Sequence, residues 1–132
     1  MKDNTIISTG YNGGARGGTN CIDAGVCLRE QLKVPAGERY ELCVAVHAEA
    51  NAIINAPAES MKGATIYISG EECNDDPLSK FFIGTPANCS PCLMCQRMIA
   101  NAGIEKVVYI GKSGGLRILA KKDLQIFALG GV

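Results

Sequence analysis

A chain of 132 residues, 47% of them hydrophobic, is the length of one domain (1–132) and can bury roughly two thirds of its unfolded surface. Its 13 basic and 13 acidic residues cancel, and no basic run exceeds Lys121-Lys122, which excludes the footprint of a protein that grips a nucleic acid strand. With no apolar leader after Met1 and no run long enough to span a membrane, the expectation is a cytoplasmic protein without a membrane partner, whose seven cysteines serve as thiols and metal ligands rather than disulfides.

Residues 4–9 (Asn-Thr-Ile-Ile-Ser-Thr) are β-branched and stopped by Gly10, which predicts a strand. The loop Tyr11-Asn12-Gly13-Gly14-Ala15-Arg16-Gly17-Gly18 would let backbone donors approach a ligand, with Arg16 able to hold a phosphate; the alternative is a flexible turn with a solvated arginine. A short helix ends near Leu32, before the turn Pro35-Ala36-Gly37. Cys21, Cys27 and Cys43 could gather round a second metal or could be small buried side chains.

From Ala48 to about Ala56 the chain is alanine-rich and stopped by Pro57, a helix that begins just after His47. Residues 64–69 (Ala-Thr-Ile-Tyr-Ile-Ser) read as a strand. The stretch 70–89 is longer than most connections in compact domains. Its Phe81 or Phe82 could close over a ligand as a lid, or it could be a hairpin whose phenylalanines pack on the core.

Ser90 reads as an N-cap and Pro91 as the first residue of a helix that runs from Cys92 to Asn101 and ends at Gly103. Residues 107–110 are a buried-type strand, 116–122 a short helix and 124–129 a last strand. Strands and helices in alternation make an α/β layered domain.

The chemistry is carried by His47-Ala48-Glu49 and Pro91-Cys92-x-x-Cys95. Three nitrogen or sulfur ligands leave the fourth corner of a zinc ion open, as hydrolytic sites require, and Glu49 is a carboxylate free to act as the base. Cys92 and Cys95 fall on one helix face, and a helix N-terminus favours their thiolates. His47 and Glu49 are about 200° apart around a helix, but in a first turn their side chains lean back and can meet beyond its end.

H-x-E with P-C-x-x-C is the signature of zinc nucleobase deaminases. The chain resembles the zinc-dependent cytidine deaminase superfamily, and within it the deoxycytidylate (dCMP) deaminases. The likeness rests on Thr9-Gly10-Tyr11-Asn12-Gly13 with Arg16, on His47-Ala48-Glu49-Ala50-Asn51-Ala52-Ile53, and on Pro91-Cys92-x-x-Cys95 followed by Ile99-x-Asn101-Ala102-Gly103-Ile104. It implies a three-layer α/β/α domain with a mixed central sheet, here lacking the family's first helix and first strand, which should leave backbone donors unpaired and apolar side chains uncovered.

It further implies Zn2+ on His47, Cys92 and Cys95, with Glu49 catalytic and dCMP as substrate. Asn12, Arg16, Ala48 and Ser90 would be the substrate-binding positions: Asn12 at the sugar, the Ala48 backbone at the base, Arg16 at a phosphate or a regulatory nucleotide. A homo-oligomer is expected. The competing readings are a deaminase of tRNA adenosine or single-stranded cytosine, and a zinc-stabilised subunit without activity.

Overall fold

The computed structural model describes residues 1–72 and 85–124. In chain order the strands are β1 (Gly13–Gly14), β2 (Ala45–Val46), β3 (Thr65–Ile68), β4 (Glu71–Glu72), β5 (Thr85–Pro86), β6 (Lys106–Ile110) and β7 (Leu116–Ala120). The helices are α1 (Cys21–Ala24), α2 (Leu28–Gln31), α3 (Ala48–Asn55), α4 (Ala58–Met61) and α5 (Leu93–Asn101), with 3-10 turns at Tyr40–Leu42 and Lys121–Asp123. Among the described residues no helix is long and apolar enough to cross a membrane.

The main sheet has the order β3-β6-β7 and is mixed, as the resemblance implies: β3 runs parallel to β6, and β6 antiparallel to β7. β6 is central, and Val107 on it is fully buried. Ile99 of α5 is buried too, and Ile104 and Leu124 complete a small core flanked by Ile53, Ile66, Ile68 and Leu119. Burying each large aliphatic side chain contributes about 1.5–3 kcal/mol, so this patch fixes α5 against the sheet. α5 also packs against α3, which brings the two helices side by side.

α5 ends in a Schellman motif. Ile104 N–H donates to the Ile99 carbonyl (3.3 Å) and Gly103 N–H to that of Ala100 (3.1 Å), with Gly103 left-handed at φ 84°. The chain then enters β6 directly.

Three expectations need correction. The segment expected to be a helix at 116–122 is instead β7 followed by a 3-10 turn. Leu116-Arg117-Ile118-Leu119-Ala120 contains good helix formers, but the turn closed by Gly111 N–H donating to the Gly115 carbonyl (2.8 Å) folds it back along β6 for five paired residues. The α5 helix starts at Leu93, so Cys92, not Ser90, is its N-cap, and Pro91 precedes the helix.

The third concerns residues 4–9, which join no ladder among the described residues. Asp3 and Asn4 both have positive φ and form a tight turn in which Lys2 and Thr5 exchange two backbone hydrogen bonds. Met1 meanwhile exchanges hydrogen bonds with Thr65 at the outer edge of β3. Beyond that point the extended residues 6–10 stand apart from β3, with a cavity of about 280 Å³ between them, lined by Ile6, Ile7, Ile53, Ile66 and Ile68.

β4 and β5 pair across the neck of the long 70–89 stretch. Phe81 and Phe82, read as lid or hairpin residues, lie outside the described residues, as does the expected last strand beyond Leu124.

Candidate metal centre

The N-termini of α3 and α5 converge. His47 is the N-cap of α3, in extended conformation, and its carbonyl accepts the N–H of Asn51 (3.0 Å). Cys92 is the N-cap of α5, and its Sγ accepts the N–H of Cys95 (3.5 Å), the role a serine or aspartate oxygen usually fills. That bond fixes the rotamer of Cys92 so that its sulfur faces Cys95. His47 Nδ1 then lies 3.6 Å from the Cys92 sulfur and 3.3 Å from the Cys95 sulfur.

These separations fit one ion. Zinc takes sulfur at about 2.3 Å and nitrogen at about 2.0–2.1 Å, and tetrahedral ligands at those lengths stand about 3.6 Å apart. Among the described residues His47, Cys92 and Cys95 form the one cluster of three candidate ligands, all within 4.8 Å of one another. Cys95 is fully buried, and burial first, then the Glu49 charge, then Cys92, push its thiol far up. Desolvation thus outweighs the helix N-terminus that should favour thiolate.

Glu49 stands in the first turn of α3, and its charge acts on Cys95. Glu49 also lines one end of the cavity beside β3.

The other expected positions divide. β1 pairs with β2, Gly13 opposite Val46, which carries Asn12 to within two residues of the chain entering His47. Asn12 is exposed there, and Ala48 is the first residue of α3. The Arg16 guanidinium donates to the Asn55 side-chain oxygen at the far end of α3. Ser90 is exposed, and its N–H donates to the Asn88 side chain (3.3 Å). Cys21, Cys27 and Cys43 start α1, cap α2 and close a 3-10 turn; among the described residues they form no ligand cluster.

Sequence reasoning gave no site role to Ser8, Gly10, Asn51 or Asn55. Ser8 Oγ donates to the Ala52 carbonyl (2.7 Å), Asn55 Nδ2 to Thr9 (3.2 Å) and Asn51 Nδ2 to Tyr11 (2.8 Å). Between them Gly10 touches the helix backbone: a Cβ there would lie 2.4 Å from both the Ala48 oxygen and the Ala52 nitrogen. The available signal was the i, i+4 pairing of Ala48 with Ala52 and of Asn51 with Asn55, a helix side small and polar enough to take a crossing chain.

Comparison with known proteins agrees with this geometry. The model of a family described as "Cytidine and deoxycytidylate deaminase zinc-binding region" matches residues 1–111. A Mycobacterium phage D29 protein named deoxycytidylate deaminase is 36% identical over 83% of this chain and 72% of its own length. Proteins of the same name from Schizosaccharomyces pombe (33% identical, 83% of this chain, 28% of the relative) and Enterobacteria phage T4 (29%, 96% and 74%) are also similar.

Proposed function

The chain belongs to the zinc-binding cytidine and deoxycytidylate deaminase family, and within it we propose that it hydrolyses dCMP to dUMP and ammonia. The observation that carries this is the convergence of His47, Cys92 and Cys95, with Glu49 in the first turn of the helix that His47 caps. Relatives at 36% and 33% identity carry the deoxycytidylate name, which supports the nucleotide as substrate.

His47, Cys92 and Cys95 would hold the zinc, which when bound supplies Lewis acidity and lowers the pKa of a water toward neutrality. The remaining chemistry is the chain's own. Glu49 takes a proton from the attacking water and gives it to the ring nitrogen, then takes the second proton from the C4 hydroxyl so formed and gives it to the amine, which leaves as ammonia while C4 keeps the oxygen as a carbonyl. Its place in the first turn of α3 keeps it beside the ligands without using it as one. Asn12 meets the sugar, the Ala48 backbone the base, and Arg16 a phosphate. Arg16 at the surface, oriented by Asn55, is suited to an anion that remains in solvent. Ser90, two residues before Cys92 in the chain, is the remaining substrate-binding position of this reading.

The even balance of 13 basic and 13 acidic residues supports a single nucleotide over a polynucleotide as partner. Ile22, Leu32, Ile54, Tyr67, Leu116 and Ile118 are each more than half exposed, which supports association with further copies of the chain. The test of function is a steady-state screen of dCMP, CMP, deoxycytidine and dCTP with zinc content measured on the same sample. Ammonia release greatest with dCMP bears the reading out; one zinc per chain with no release from any of the four overturns it.

A further inference from the structure

Residues 8–14 cross α3 and are tied down at both ends. Before the crossing, Ser8 and Thr9 are hydrogen bonded to Ala52 and Asn55, and Gly10 rests on the helix backbone. After it, Gly13 and Gly14 pair with β2, and Gly14 N–H donates to the Asn20 side chain (2.7 Å). Between these anchors Tyr11 and Asn12 are exposed, Tyr11 at 78%. Among the described residues, one side chain hydrogen bonds to the backbone of this arch: Asn51 Nδ2 donates to the Tyr11 carbonyl at 2.8 Å.

Asn51 sits one helical turn beyond His47, whose carbonyl its own N–H meets, and two residues beyond Glu49. The peptide bond it holds is the one that leads into Asn12. We infer that Asn51 is a positioning residue for substrate binding: its carboxamide locks the Tyr11–Asn12 peptide to the helix that carries His47 and Glu49, and so fixes where Asn12 presents its side chain to the sugar. This rests on the reading of Asn12 given above. The chemistry demands a donor at Asn51, because its partner is a carbonyl oxygen. Aspartate has the same shape but would turn an acceptor toward that oxygen, and the arch would be repelled from the helix.

The experiment is a double-mutant cycle of Asn51→Asp and Asn12→Ala, with KM and kcat for dCMP and zinc content measured for each variant. Asn51→Asp is expected to raise KM about tenfold while kcat and zinc content change little, the loss expected for one hydrogen bond at an unchanged reaction centre. In the Asn12→Ala background the same change should have little further effect. Full additivity of the two KM effects overturns the inference, as does an unchanged KM in Asn51→Asp while Asn12→Ala raises it. An unchanged KM in Asn12→Ala overturns instead the role given to Asn12. Asn51→Ala, which removes the donor without adding charge, provides the second measurement: loss of zinc or of fold in both Asn51 variants makes Asn51 a structural residue of α3 and also overturns the inference.

Discussion

His47 and Cys92 occupy the same position in two different helices. Each is the residue that caps an N-terminus, His47 that of Ala48–Asn55 and Cys92 that of Leu93–Asn101, and their ligand atoms stand 3.6 Å apart. The site is therefore made by helix packing: whatever sets α3 against α5 sets the ligand geometry, and the first turn of α3 brings Glu49 with it.

Because the ligands come from two helices that touch mainly through this corner and the small core behind it, metal binding is also folding energy. Stripping zinc with a chelator should remove about 4 kcal/mol at free zinc a thousandfold above its Kd, lowering Tm by roughly 10–20 °C. Cys95→Ser should reproduce both the zinc loss and the Tm drop, since its sulfur is fully buried between the helices. Thermal unfolding with and without added zinc, alongside metal analysis, checks this.

Gly10→Ala should damage activity more than stability. The new methyl would lie 2.4 Å from two backbone atoms of α3, neither able to move alone, so the chain must lift by about 1 Å. A misplacement of that size next to Asn12 should cost about a hundredfold in kcat/KM for dCMP, with zinc content retained. Steady-state kinetics on the metal-replete variant measures it.

Gly103→Ala should do the reverse. Gly103 closes the Schellman motif at φ 84°, where a side chain is strained, while its nearest neighbour is the flexible Lys62 Cγ at 3.2 Å. The expected loss is about 1–2 kcal/mol of stability, with kcat/KM unchanged. Urea titration and an activity assay on the same preparation separate the two.

The metal triad was legible from sequence because its spacing reflects chemistry that few other arrangements need, and α3 and α5 because Pro57 and Gly103 mark where they must stop. β3 and β6 were legible as short apolar runs. β7 was not, since Leu116 to Lys122 offers both a helical and an alternating pattern and the turn at Gly111–Gly115 decides between them. Residues 4–9 look like a strand in isolation, but a strand exists only with a partner, and Asn4 is taken up by a left-handed turn. The cap at Cys92 was missed for a different reason. Propensity favours serine over cysteine as a cap, yet here the same sulfur that accepts the Cys95 N–H also faces His47.

The most direct measurement is ammonia release from dCMP by Glu49→Gln, with zinc content determined on the same protein. Glutamine keeps the shape and removes the proton-carrying group, so zinc should remain at one per chain while kcat falls by about two to four orders of magnitude. Turnover near that of the unaltered chain, with zinc in place, would contradict the role given to Glu49 and with it the deaminase mechanism.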